Sequence, residues 1–318
     1  MQVYTNCPIA LADWNLCEQE PISDSQHTSI PPGLWHEFAG KGSPWHLTWD
    51  SKDLPDGIAF IVERTDRSQF DRMVDLARSG RELPDFLACV ALEGDNFHGQ
   101  SERHWTAARG NLHLTLHVRA AIEANHAQEA ISILPTVALM DGFGLTASPE
   151  EHTGIRWLND LFINGRKVGG SIAESQIEGN RIESIVYGIG LNVESDPDVS
   201  PTPFVPGAAS LQSTMLEGAW TLGKAFETLL TAIRRRLNQL QSGDSEGLKQ
   251  SYIQGSACMG QEVRVWPRKV VNPEHERPIA AGKLLAIQPD LSLLIQGQPE
   301  PIHEGRLAFE SDCRALWI

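Results

Sequence analysis

The dipeptide Asn164–Gly165, set between two strand-like runs, constrains this chain more than any other feature. Asn-Gly adopts both left-handed conformations of a tight type I′ turn at little steric cost, so it is a strong hairpin signal. The sequence predicts a strand from Trp157 to Ile163, a reversal at 164–165, and a return strand from Lys167 to Ser175. A second turn at Glu178–Asn180 leads into another strand-like run, RIESIVYGIGLNV (181–193). An antiparallel sheet is therefore expected in the middle of the chain.

The flanking pattern is mixed. IAFIVE (58–63) and LACVAL (87–92) read as buried strands. Between them, residues 67–79 place Phe70, Met73, Val74 and Ala77 at helical spacing, and Gly80 ends the run. NLHLTLHV (111–118) alternates strictly, which predicts a half-buried strand with Leu112, Leu114, Leu116 and Val118 inward and His113 and His117 on a partly solvated face. Residues 127–141 read as a helix that Pro135 kinks or bounds. After a proline-rich loop (Pro197 to Pro206), a long amphipathic helix is expected over about 219–241. Its Arg234–Arg236 run reads as a solvated face, with docking of an acidic carrier as the alternative. Beyond Gly255, four short strands over 260–309 predict a small β-barrel. Three units follow: an extension over 1–57, a central domain over 58–255 and a C-terminal domain over 256–318. The extension carries Trp14, Trp35, Trp45 and Trp49 but weak helical periodicity, and it is expected to pack on the body through those indoles.

Composition narrows the function. With 41% hydrophobic and 21% charged residues, the chain reads as a globular protein, and no apolar run suffices for a membrane helix. Basic residues number 26 against 41 acidic, for a net charge of −15. That argues against general nucleic-acid binding, and no winged-helix pattern precedes residue 58. Cys7, Cys17, Cys89, Cys258 and Cys313 are scattered without a C-x-x-C pair, which supports neither structural zinc nor a disulfide framework. The first residues do not read as a secretion signal, and the cytoplasm is expected.

The hairpin is also where chemistry concentrates. Asn159 and Asp160 sit at the start of one arm, and Lys167 lies just past the turn. Gly169 and Gly170, then Gly188 and Gly190, would let a ligand approach the backbone closely. Lys167 could stabilise charge on a phosphate or carboxylate, and Asp160 could bind Mg²⁺ directly or through water. On spacing alone, an ordinary solvated hairpin with a turn lysine is the simpler reading.

The motifs add more. Arg156-Trp157-Leu158-Asn159-Asp160, then Arg166-Lys167-Val168-Gly169-Gly170, then Gly188-x-Gly190-x-Asn192 resemble the K-W-P-N-D, R-K-x-x-G and G-x-G-x-N signature of the biotin protein ligases. Leu158 stands where the family has proline. Trp105 with Gly110-Asn111-Leu112 resembles the family's W…G-N-L element, and GAASLQ (207–212) its A-T-S-L. The resemblance covers about 59–318. It implies an α+β fold, a mixed sheet flanked by helices plus a small SH3-like β-barrel. It also implies a two-step reaction: biotin and Mg²⁺-ATP give biotinyl-5′-AMP, and biotin then passes to a lysine of a biotin carboxyl carrier domain. In those terms Lys167 is catalytic, Asn159 and Asp160 serve the phosphate and Mg²⁺ region, and Thr65 in ERTD matches the middle of the ring-binding S-T-N element. Gly99, Arg103, Trp105, Gly110, Asn111, Gly169, Gly170, Gly188, Gly190 and Asn192 belong to the biotin and adenylate site. A homodimer through the central sheet is also compatible with the family.

One element departs. The family's G-R-G-R-R-G-R-x-W loop becomes Phe97-His98-Gly99-Gln100-Ser101-Glu102-Arg103-His104-Trp105, in which only Gly99, Arg103 and Trp105 match, and Gly94 stands where a glutamine is expected. Guanidinium forks match phosphate oxygens in a way Gln and Ser cannot. The chain thus reads as a ligase with a divergent loop, helped by Arg109, His104 or the extension. The alternatives are a weakly active or non-catalytic biotin- or acyl-binding homologue, or a lipoate or octanoate ligase-transferase. His98 and His104 read as loop histidines without a special role.

Overall fold

A computed structural model describes residues 1–11, 14, 17–21 (backbone only), 30–49, 51–124, 127–215 and 219–317. The strands are β1 (Gln2–Thr5), β2 (Cys17–Pro21), β3 (Trp45–Thr48), β4 (Ile58–Thr65), β5 (Leu87–Gly94), β6 (Asn111–Glu123) and β7 (Gly154–Arg156). They continue with β8 (Asp160–Ile163), β9 (Arg166–Glu178), β10 (Arg181–Asn192), β11 (Glu262–Trp266), β12 (Ala280–Ile287), β13 (Leu293–Ile295) and β14 (Arg306–Phe309). The helices are α1 (Leu34–Ala39), α2 (Gln69–Arg78), α3 (Gln128–Gly142), α4 (Leu211–Thr214), α5 (Leu222–Gln241), α6 (Ser245–Gln254) and α7 (Glu310–Trp317).

Ten strands form one mixed sheet in the order β2-β3-β1-β4-β5-β6-β10-β9-β8-β7. Only β1–β4 and β4–β5 pair in parallel. Helices α3, α5 and α6 cover one face, and α1 and α2 cover the other. Leu112, Leu114, Leu116 and Val118 face the first core, as their alternation predicts. The opposite face of β6 is not solvated, however: His113, Thr115 and His117 are each 3% exposed. The rings satisfy themselves on backbone carbonyls instead, His117 Nδ1 at 2.8 Å from Pro84 O and His113 Nε2 at 3.1 Å from Ala108 O. No group of three or more metal-ligating side chains occurs among the described residues.

Several expectations shift in detail. Helix α3 runs through Pro135. Helix α5 starts at Leu222, where the Thr221 hydroxyl caps the Lys224 amide. The Arg234–Arg236 run is largely committed: Arg235 and Arg236 both pair with Asp141 of α3, and Arg234 lies 4.3 Å from the centre of the Phe86 ring. The segment before residue 58 supplies β1, β2 and β3 to the sheet edge. Its Trp14 and Trp49 pack against Phe226 of α5, and Trp35 meets Phe60 edge-on.

The C-terminal strands form a separate antiparallel sheet in the order β13-β12-β11-β14, and the ladders close no barrel among the described residues. This sheet docks on β7 and its turn. Ile155 exchanges backbone bonds with Gly255 and Ala257, and the Trp157 indole donates to Leu291 O at 2.8 Å. Arg156, 1% exposed, pairs with Asp312 of α7 at 2.9 Å and lies between the Phe162 and Phe309 rings.

Candidate active site

The Asn164–Gly165 turn forms as expected, with φ of 50° and 72°. The first arm is shorter than predicted. Trp157–Asn159 make a turn from β7 into β8, so the strand begins at Asp160, which lies opposite Arg156. Asn159, 8% exposed, gives its amide to the Ser171 carbonyl and is thereby committed to holding β8 on β9.

A bulge then aims the lysine. Asp160 pairs with Gly170 and Leu161 with Gly169, but Phe162 pairs with Lys167, leaving one extra residue in β9. In a regular strand Lys167 and Gly170, three residues apart, would face opposite sides, because side chains alternate. The bulge places both on the Asp160 side, and Lys167 Nζ sits 2.8 Å from Asp160 Oδ1. The lysine backbone is pinned as well: its N–H donates to Gly207 O and its carbonyl accepts from Ala209 N–H, each at 2.9 Å. Arg166 beside it reaches Asp196 at 2.9 Å. Burial alone would raise the Asp196 pKa, but hydrogen bonds from Ser213, Ser210 and Arg166 hold it at about 2.

Across the sheet, His113, Gly190, Gly170 and Asp160 form one row, with Thr115, Gly188 and Ile172 in the next. The glycines make a floor without side chains. A Cβ on Gly190 would stand 2.3 Å from the Trp105 ring, and one on Gly170 2.8 Å from Asp160 Oδ1. Trp105 occupies the space above Gly190, within 5.6 Å of Lys167 Nζ, and donates its indole N–H to His113 Nδ1 at 3.2 Å. Burial lowers the His113 pKa to about 4, so the ring is neutral and accepts that bond.

The divergent loop is folded as a small hairpin. Trp105 N–H bonds Phe97 O at 2.9 Å and Gly99 N–H bonds Arg103 O at 2.7 Å. His98 has a role the sequence did not suggest: its Nε2 lies 2.9 Å from Asp71 Oδ1 and fastens the loop to α2. Gly94 is explained too. A Cβ there would stand 2.5 Å from the Phe97 ring, which fills the space of the missing side chain.

These parts enclose a cavity of about 380 Å³. Gly99, Arg103, Trp105, Asn159, Asp160, Lys167, Gly170, Gly188, Gly190 and Asn192 line it. Thr65, Gly110, Asn111 and Gly169 do not. Thr65 spends its hydroxyl on Arg67 O at 2.8 Å, leaving Ser68 at the start of α2 to face the cavity. Gly110, with φ 87°, turns the chain into β6, and Asn111 accepts from Val193 N–H at 2.9 Å. Gly169 lies near Leu139 of α3, on the sheet's other face. Arg109 is held outside by Glu63 and Glu93, and the segment before residue 58 contributes no lining residue among those described.

Sequence reasoning missed Ser68, Phe70, Phe97, Phe204 and Arg306, all of which line the cavity. Phe70 stands at helical spacing with Met73 and Val74, and its ring lies over Gly188. Arg306 comes from the small sheet, and nothing local in the sequence ties it to Lys167.

The site is thus a mixed sheet with a glycine floor, one aimed lysine and a docked C-terminal sheet. Residues 74–192 match the model of the biotin/lipoate A/B protein ligase family. The chain is 28% identical over 167 residues to a biotin–[acetyl-CoA-carboxylase] ligase of Paracoccus denitrificans, covering 52% of this chain and 68% of that one. It is 30% identical over 166 residues to the bifunctional ligase/repressor BirA of Bacillus subtilis, covering 52% of this chain but only 50% of the relative. The fold is similar to that of a biotin protein ligase from Aquifex aeolicus solved with biotin and ATP. That match has a TM-score of 0.57 at 18% identity and covers 79% of this chain and 98% of that one.

Proposed function

We propose that this chain is an ATP-dependent, AMP-forming biotin protein ligase. The observation that carries the reading is the Lys167 ammonium, aimed by a bulge into a glycine-floored cavity and fixed 2.8 Å from Asp160. One cation there can hold a carboxylate and a phosphate together while they react. In the first step a biotin carboxylate oxygen forms a bond to the α-phosphorus of ATP, and the bond from that phosphorus to the bridging oxygen breaks. Pyrophosphate leaves with the electron pair. Lys167 offsets the negative charge on both partners, while Trp105 and Phe70 cover the floor and exclude water. In the second step the carrier lysine amine attacks the acyl carbon, AMP leaves, and the amine proton passes to solvent.

Asp160 is the single carboxylate among the described residues that line the cavity. That donor set fits Mg²⁺, which takes one or two carboxylates plus substrate phosphates. Bound with ATP, the ion would neutralise phosphate charge. The partner we propose is a biotin carboxyl carrier domain, and a homodimer is the assembly to test by sedimentation. Cys7, Cys89, Cys258 and Cys313 are buried and unpaired, and no described helix is long and apolar enough to cross a membrane. The cytoplasm is the compartment we propose.

The test is direct. Incubation with biotin, Mg²⁺-ATP and a carrier domain should add one biotin to the carrier, read by mass spectrometry. Lys167→Ala should slow this by at least about 100-fold. An unmodified carrier at every enzyme concentration, beside a working control ligase, would sink the reading. The loss of loop arginines at Gln100 and Ser101 favours a second one, binding without turnover. Biotin binding without pyrophosphate release would support it.

A further inference from the structure

We propose that Asp196, which lies outside the cavity lining, is a positioning residue for Lys167. Through Arg166 and the short run 207–210, its carboxylate fixes the backbone from which the Lys167 ammonium is aimed. The proposal rests on the ligase reading above and deepens it.

Lys167 needs such support. Its side chain is a flexible four-carbon stem, so the direction of the ammonium depends on where the backbone is held. On one side that backbone pairs with Phe162 of β8, across the bulge. On the other it makes an isolated parallel bridge with Ala208, through the 2.9 Å bonds to Gly207 and Ala209. Asn192 adds a tie, its amide donating to Ala209 O at 3.0 Å and to Lys167 O at 3.4 Å. One bridge of two backbone bonds does little to offset the entropy of ordering a loop end.

Asp196 staples that bridge from both ends. Its Oδ1 accepts from the Ser210 N–H and the Ser213 hydroxyl, each at 2.7 Å, just past the bridge. Its Oδ2 lies 2.9 Å from the Arg166 fork, one residue before Lys167. Arg166 completes the circuit by donating to Ala208 O, and its stem lies over Gly207, where a Cβ would stand 3.9 Å away. Ser210 and Ser213 also close a capping box at α4, so the far end of the staple is itself anchored. The Arg166 and Asp196 side chains are 45% and 36% exposed, and an ion pair so open to water adds little alone. The leverage comes from convergence, because donors on both sides of the bridge meet on one carboxylate. Although burial opposes it, the bonds from Ser213, Ser210 and Arg166 hold the Asp196 pKa at about 2, so the charge persists at any pH suited to assay.

Two measurements test this on the full chain. Competitive acetylation with a trace of acetic anhydride, read by mass spectrometry, follows Lys167 without turnover. The Lys167 side chain is 17% exposed and ion-paired, exposed Lys283 serves as reference, and Lys249, 8% exposed, reports general loosening. In Asp196→Ala, Lys167 labelling should rise about tenfold or more while Lys249 stays within about twofold of wild type. Single-turnover adenylation at saturating biotin and ATP should fall about tenfold or more, because a small misplacement of a group at the reacting centre is costly. Asp196→Asn keeps an acceptor oxygen for the serines but gives up the charge facing Arg166, and it should lie between. In a Lys167→Ala background, Asp196→Ala should change the residual adenylation by less than about twofold, since a residue that acts through the lysine has nothing left to act on. Unchanged Lys167 labelling and adenylation in Asp196→Ala would overturn the proposal. Parallel exposure of Lys249, or an equal loss in the Lys167→Ala background, would overturn it too, because each marks a merely structural role. Should Asp196→Ala not fold, Asp196→Asn and Arg166→Gln carry the same comparison. Lys167 labelling that rises in Asp196→Ala although the wild type forms no adenylate would sink the ligase reading and leave the positioning role standing.

Discussion

Gly190 and Arg156 show how single residues tune this site. Gly190→Ala puts a methyl into the Trp105 ring, at 2.3 Å in the unrelaxed structure. The indole has to leave its place beside Lys167. We expect a cost of about 1–3 kcal/mol in stability, a changed tryptophan emission and a marked fall in adenylation. Unaltered emission and turnover would show that Trp105 is free to move. Arg156 is a different kind of constraint, since its guanidinium is buried and paired with Asp312. Asp312→Ala leaves that charge uncompensated and should cost about 3 kcal/mol in a urea melt, with much of the loss recovered in an Arg156→Met, Asp312→Leu double variant. The hairpin and its neighbouring strand were legible because the motif is local: Asn159, Asp160, Lys167, Gly170, Gly188 and Gly190, singled out by the family resemblance, line one cavity. Arg306 and Ser68 were not, since three-dimensional docking and a helix start decide where they point.

Among the elements, the β8–β9 hairpin and the loop over 94–105 behave differently. The hairpin's turn was readable from Asn164–Gly165, but the bulge that aims Lys167 was not, because register depends on the partner strand. The loop lacks most of the family's arginines, and it is latched to α2 by His98 and Asp71. Burial pulls the His98 pKa down, but the Asp71 bond, the Gly99 carbonyl and the charges of Asp71 and Glu102 outweigh it and leave the value raised. A raised value means the latch is fully formed below the ordinary histidine range, near pH 6.5, and weakens as pH rises through the folded-state value. Hydrogen exchange of amides 97–105 should therefore slow less on folding at pH 9 than at pH 6, after correction for intrinsic rates. In His98→Gln that pH dependence should vanish. Equal protection at both values in the wild type would remove the latch from the account.

For the molecule as a whole, the segment before residue 58 is the least expected part. Its composition suggested packing through tryptophans, and its strands proved too short for a periodic signal. Removing residues 1–57 would unpair the β4 edge and strip Trp14 and Trp49 from Phe226. We expect the truncated chain to be recovered mainly as aggregate, read by analytical ultracentrifugation, since an exposed apolar edge strand templates association. A soluble, monodisperse truncation with wild-type melting would contradict this. The C-terminal strands were predicted individually, but their closure into a barrel was not found among the described ladders.

Gly94 is crowded from two sides, by the Phe97 ring and by the Thr65 backbone. A Cβ at 94 would stand 2.5 Å from the Phe97 ring and 2.8 Å from the Thr65 carbonyl oxygen in this backbone. Gly94→Gln would therefore meet a closed door on two sides, and a smaller residue at 97 would open only one of them.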